Sequence, residues 1–338
     1  MTDSIYDISV IICAYTADRW LQMLKAVESI QQQSVPVREI ILVVDHNTAL
    51  FERTRTALPE VTVIENSGAK GLSGARNSGI ALAQGQLIAF LDDDGIADRD
   101  WLERLADGCQ RPNVLGVGGI VEPLWMVKEP AWFPHEFYWV IGCSYQDRPR
   151  TITKVRNPYG GCTCIRREVF ETIGGFREGI GRVGQHLLGG EETELSIRAT
   201  QHWPDKIFLC DPQARMLHHI SPARAHLSYF LKRCYAEGIS KATITGHVGA
   251  KDSLASERSY MLFMLPRGIA RGLAVSIFQH KPTGILRAGA IIAGLLTTIA
   301  GYVVGNITRH IATSPLAATN EGNTHSNQDS EKPLHVNS

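Results

Sequence analysis

"LIAFLDDDGIADRDWL", residues 87–102, runs an unbroken apolar stretch into three consecutive carboxylates, Asp92, Asp93 and Asp94, and then into a helix-like segment. A strand that is apolar on both faces belongs to a sheet covered on both sides. The same pattern repeats upstream. "ISVIIC", an amphipathic run from Arg19 to about Gln33, "REIILVVD", a short helix near 49–57, "VTVIEN" and a helix near 73–84 alternate in order. This alternation predicts an α/β fold with a Rossmann-like, mostly parallel central sheet flanked by helices. Ligands of such sheets sit outside the carboxyl ends of the strands. The segments to inspect are therefore Tyr15 to Arg19, Asp45 to Thr48, Asn66 to Arg76, and Asp92 to Asp94.

Composition bounds the rest. The 338 residues carry 34 acidic and 34 basic side chains, so no global field recommends nucleic acid as a partner. The seven cysteines are odd in number and lack a disulfide-framework spacing, which predicts a reducing, cytosolic setting for the main domain. Cys162 and Cys164 form a lone C-x-C that reads as two buried thiols rather than a metal site.

Adjacent carboxylates repel unless something positive joins them. A hard divalent cation, Mg²⁺ or Mn²⁺, would offset that repulsion, and such an ion keeps positions for phosphate oxygens. The alternative is a solvated acidic turn before a helix. Just upstream, "ENSGAKGLSGARNSGIALAQG" sets Gly68, Gly71 and Gly74 around Lys70 and Arg76 at a helix start, where backbone N–H groups and cations favour a diphosphate. Asp45 ends its strand, either to meet a nucleobase or ribose or to cap a helix. In "GGEETEL", 189–195, Glu191 and Glu192 open a helix, as a general base or as capping carboxylates. In "CDPQARMLHHISPAR", His218, preferred over His219, could complete a metal shell or contact a phosphate.

Two stretches depart from the α/β pattern. "EPLWMVKEPAWFPHEFYWVIGCSY", 122–145, is dense in aromatics, and we expect packing with some rings facing a cleft. From Leu262 the chain turns apolar with spaced arginines, and residues 288–308 contain no charge at all. That length can span a bilayer, although a hairpin, an interfacial helix or a soluble helical pair also fits. Arg258, Arg267, Arg271, Lys281 and Arg287 precede it, which by the positive-inside rule places the main domain at the cytoplasmic face of the membrane. The polar tail after Thr313 is expected to be disordered and to carry no catalysis.

Taken together, "ISVIICAYTADRW", the strand-end Asp45, "GLSGARNSGIALAQGQLIAFLDDD", "GGFRE", "GGEETEL" and the late histidine resemble a family 2 glycosyltransferase with the GT-A fold, over about residues 8–242. That resemblance implies an inverting, metal-dependent enzyme using a nucleotide-sugar donor and a hydroxyl of a glycan or lipid-linked acceptor, in glycan or polysaccharide assembly. It implies a D-x-D element in which Asp94, with Asp92 and His218, holds Mn²⁺ or Mg²⁺. Asp92 or Asp93 would meet the ribose and the sugar, and Tyr15, Arg19, Asp45, Lys70, Gly71 and Arg76 would line the donor. The base corresponds to the family's E-D element, where Glu192 stands in place of aspartate, leaving Glu191 and Glu192 both open. The chain then divides into a nucleotide-sugar-binding half (1–110), an acceptor and catalytic half (111–245), a helical region (246–310) and the tail (311–338). A catalytically inactive sugar-nucleotide-binding or scaffold protein of the same fold is the alternative. An NAD-dependent oxidoreductase would need glycines after the first strand, and "CAYTADRW" offers none; a phosphohydrolase would need an acidic nucleophile directly after that strand, where Cys13 followed by Ala14 gives none.

Overall fold

A computed structural model describes residues 6–145, 150–184, 187–253 and 255–312. Strand β1 (Ile8–Ala14) leads through α1 (Trp20–Gln31) to β2 (Glu39–Val44), α2 (Thr48–Ala57), β3 (Thr62–Glu65), α3 (Leu72–Leu82) and β4 (Leu87–Asp92). These are the alternating elements expected from the hydrophobic pattern, and β3, β2, β1 and β4 pair in parallel in that spatial order. Alternate residues of β1 enter opposite cores: Val10 and Ile12 face the layer holding Met23 and Trp101, while Ile11 faces the layer holding Phe90 and Phe170. That is why these strands read as continuous apolar runs.

Beyond β4 the sheet becomes mixed. Its later elements are β5 (Gly95–Ala97), α4 (Trp101–Cys109), β6 (Val114–Trp125), β7 (Thr153–Val155), β8 (Cys162–Arg166), α5 (Arg167–Ile173), α6 (Glu191–His202) and β9 (Ile207–Ile220). The spatial order is β3-β2-β1-β4-β8-β6-β9-β5, with β7 also on β9. Strand β8 runs antiparallel to both β4 and β6, whereas β6 and β9 are parallel. Strands β4 and β5 are consecutive in sequence yet lie four steps apart in this order. The two-residue link Asp93–Asp94 can join them only because the sheet curls back on itself. Register shifts in β6 near Gly116 and Ile120 provide local bends. Cys162 and Cys164 are buried, unbridged thiols of β8, as expected.

The C-terminal region continues through α7 (Leu227–Val248), the short α8 (Ala250–Ser253) and α9 (Ala255–Ser259), then α10 (Leu265–Gln279) and α11 (Thr283–Ala312). Two segments, Glu257–Gln279 and Thr283–Arg309, are long and apolar enough to cross a membrane. Only the second contains a long uncharged run in the sequence, residues 288–308; spaced arginines interrupt the first. The tail from 313 onward lies outside the described residues. Helix α11 lies against α7 through small residues: a Cβ on Gly238 would fall 2.1 Å from the Thr298 carbonyl oxygen, and one on Gly301 would fall 2.1 Å from that of Tyr235. The aromatic segment packs beneath, with Phe133 edge-on and Phe137 tilted against Phe230 of α7 at ring-centroid distances of 5.5 and 5.3 Å.

This packing predicts opposite outcomes for one substitution at two glycines of α11. Gly301→Ala should destabilise the chain by about 1–3 kcal/mol, because the new methyl group has no space. Gly289→Ala, whose Cβ would meet nothing within 4 Å, should be neutral or gain up to about 1 kcal/mol of helix propensity. Thermal unfolding of the two variants beside the parent checks both signs.

Candidate active site

The curl of the sheet builds the site. Because β5 pairs antiparallel with β9, Gly95 lies opposite His218, and the His219 amide donates to the Asp94 carbonyl at 2.9 Å. His218 Nε2 thereby comes to 3.0 Å from Asp94 Oδ1. Arg19, at the start of α1, reaches Asp93 at 2.7 Å and Asp94 at 3.0 Å. Arg224 follows in a short turn after β9 that folds back toward β4, placing its guanidinium 3.6 Å from Asp94. Burial alone would push the Asp94 carboxyl up; His218, Arg19 and Arg224 outweigh it and hold it well below the usual carboxylate range. Burial pushes its neighbour Asp93 up to about 7, opposed by Arg19 and reinforced by Asp94.

One oxygen each of Asp92 and Asp94 and one ring nitrogen of His218 lie within 4.8 Å of one another. Asp92 is the most exposed of the three aspartates, and its position needs Gly161, where a Cβ would fall 2.1 Å from the Asp92 Cγ. The buried Oδ2 of Asp93 has no hydrogen-bond partner among the described residues. Two carboxylates and one imidazole form a donor set suited to a divalent ion such as Mn²⁺, and the unsatisfied oxygen beside them is consistent with a cation there.

These groups open into a cleft of about 780 Å³, also lined by Tyr15, Asp45, Arg76, Glu191 and Glu192. The two glutamates are differently placed. Glu191 is buried and accepts a hydrogen bond from Arg76 at 2.9 Å, so that Arg76, itself 3.7 Å from Asp92, ties α6 to the aspartate cluster. Glu192 is half-buried, and burial pushes it up to about 8, with Glu191 adding to the shift and Arg76 opposing it. Behind it lies a second cluster in which Glu237 accepts from Arg233 at 2.8 Å and pairs with Lys241 at 3.3 Å.

The glycine-rich loop does something other than expected. Gly71, at φ +125° and with a Cβ that would fall 2.8 Å from the Arg182 carbonyl oxygen, directs its N–H onto Asp45 at 3.0 Å, and Ala69 donates to Glu178 at 3.2 Å. The carboxylates met by these two amides are the chain's own. Lys70 is exposed and stands outside the cleft lining, so it is not brought together with Arg76. Tyr15 lies under Arg19, 5.5 Å from its guanidinium, at the cleft edge. Arg224 was not singled out from the sequence; its only signal was its place six residues after His218.

Known proteins similar to this chain share its family and fold. The model for glycosyl transferase family 2 matches residues 9–174. The glucosyl-dolichyl phosphate glucuronosyltransferase of Haloferax volcanii is 32% identical over 238 residues, covering 69% of this chain and 76% of that protein. This chain belongs to glycosyltransferase family 2. The glycosyltransferase shares its fold with the mannosyltransferase PcManGT of Pyrobaculum calidifontis, solved with GDP-Man and Mn²⁺, at a TM-score of 0.55 and 17% identity, over 91% of this chain and 90% of that one. GalNAc-T7, solved with UDP, GalNAc and Mn²⁺, superposes at 0.50 with 16% identity, over 83% and 59%. Both place the glycosyltransferase in the GT-A fold.

Gly161→Ala tests whether the Asp92–Asp94–His218 cluster holds a metal without removing any of its three side chains. The added methyl group would force Asp92 aside, so Mn²⁺ affinity measured by calorimetry should fall at least about tenfold, similar to losing an outer-shell support. The far-UV circular dichroism spectrum should be unchanged.

Proposed function

We propose that the chain transfers a sugar with inversion from a nucleotide-sugar donor to a hydroxyl of a lipid-linked or glycan acceptor, at the cytoplasmic face of a membrane. Residues 1–110 would supply the donor side of the cleft, with Tyr15, Arg19, Asp45, Arg76, Asp92 and Asp93 toward the nucleotide sugar. Residues 111–245 would supply the acceptor side, and 246–310 the membrane-associated helices. Lys70 and Gly71 would act at one remove, through the loop that fixes Asp45. The observation that carries this reading is the convergence of the Asp92–Asp94–His218 cluster and Glu192 on one cleft. The Haloferax relative, by its name, acts on a glucosyl-dolichyl phosphate, which favours a lipid-linked acceptor here.

Asp94, Asp92 and His218 would hold Mn²⁺ or Mg²⁺, which when bound supplies positive charge against the leaving diphosphate. Glu192 takes the proton from the acceptor hydroxyl. The hydroxyl oxygen then forms the new bond to the anomeric carbon while the bond to the diphosphate breaks on the opposite face. Glu191 serves to position Arg76, because its hydrogen bond is already committed there. Glu192 has the freer carboxylate and a raised affinity for the proton it must accept.

Incubation with a panel of nucleotide sugars and Mn²⁺, read by diphosphate release, tests the activity. Glu192→Gln should abolish turnover and leave nucleotide binding intact. Equal turnover in the variant would reject the base, and release of no diphosphate from any donor would favour the inactive, sugar-nucleotide-binding alternative. Because the base must be ionised, kcat/KM should rise with pH, about tenfold per unit below the apparent pKa, and level off above about 8. A profile that is flat from pH 6 to 9 contradicts the assignment.

A further inference from the structure

Helix α11 has two unlike faces. Ile285, Ile292, Leu296, Val303 and Ile307, spaced as one helical row, are exposed, Leu296 to 61%. The opposite row is packed: a Cβ on Gly294 would fall 2.6 Å from the Phe137 ring, and one on Gly305 would fall 2.8 Å from the Ala242 methyl. The contacts 294 with 230, 301 with 235 and 305 with 242 advance together, so α11 runs parallel to α7 along most of its length. Thr298, Ile299 and Tyr302 of the same helix wall the catalytic cleft, whose lining also includes Asp92, Asp94, Arg233, Glu237 and Lys241.

That arrangement conflicts with a perpendicular span. A helix crossing a hydrocarbon core of about 30 Å would carry α7 and the charged cleft to membrane depth, where ionised groups are strongly disfavoured. The sequence from 258 to 312 supplies the other half of the argument, with six Lys or Arg residues and no Asp or Glu. Phe278 at 82% and Ile277 at 65% exposure extend the uncovered apolar surface onto α10. Apolar rows flanked by cations match a surface of anionic lipid headgroups, and one of these cations, Arg271, also faces a carboxylate, Glu136, at 3.6 Å.

We infer that α10 and α11 lie in the plane of an anionic bilayer as a hairpin with both ends on the side of the catalytic cleft, instead of crossing it. The α11 wall of the cleft then stands at headgroup level, where a lipid-linked acceptor can enter sideways. This inference rests on the membrane association proposed above, and the two can fail separately.

Single cysteines at the exposed positions Lys281→Cys and Thr308→Cys, in inside-out membrane vesicles (cytoplasmic face outward) from cells making the full chain, are treated with an impermeant maleimide with and without detergent. Equal labelling of both without detergent is expected. Either site reacting only after detergent overturns the in-plane hairpin and leaves membrane association standing. An environment-sensitive dye on Leu296→Cys should shift to the blue when the purified chain meets phosphatidylglycerol vesicles, and no shift in bound protein overturns the proposed face. Binding should be at least about tenfold tighter than to phosphatidylcholine alone. A chain that binds neither vesicle and stays in the soluble fraction overturns both readings.

Discussion

The contact between Asp94 and His218, 3.0 Å across the seam of the curled sheet, is the constraint on which the rest depends. Two residues must carry the chain from the middle of the sheet to a strand four steps away. The antiparallel pairing of β5 with β9 then fixes which side chain of β9 faces the aspartates, since a one-residue slip would present His219 or Leu217 instead. Arg19 from the first strand–helix turn and Arg224 from beyond the last strand arrive at the same carboxylate. Elements from both ends of the catalytic domain thus meet at one ionised group.

Those charges make the cluster tolerable and useful. Three adjacent carboxylates would repel, yet two guanidiniums and an imidazole hold Asp94 ionised, while burial favours the proton on Asp93. Arg76 extends the network, linking Asp92 to Glu191 and so setting the first turn of α6 against the aspartate cluster. Glu192, next in sequence and turned to the cleft, is left with a raised proton affinity. The aspartate–histidine cluster and the start of α6 are therefore linked through a few buried ion pairs.

Much of this was legible in the sequence, for a physical reason. Strands buried on both faces announce themselves as apolar runs, so the elements from β1 to β4 fell within a residue or two of expectation, and the site residues sat at strand ends as sheet topology requires. What depended on folded-state geometry was not legible. The glycine loop reads as an anion cradle, but Asp45 and Glu178 already occupy the amides of Gly71 and Ala69. The later strands gave no clean alternation, because β6 is bent by register shifts and β9 divides its pairing between β7 and β5. The C-terminal helices were legible by composition alone, and their lie against α7 was set by glycines whose spacing carries meaning only once the partner helix is known.

In the proposed mechanism, His218 and the aspartates together form a metal centre at the donor's diphosphate. Pulsed electron paramagnetic resonance of Mn²⁺ bound to the chain grown with nitrogen-15 histidine tests it most directly. A histidine nitrogen coupling to the ion is expected, and it should disappear in His218→Ala. Tightly bound Mn²⁺ showing no histidine coupling in the parent protein would contradict it.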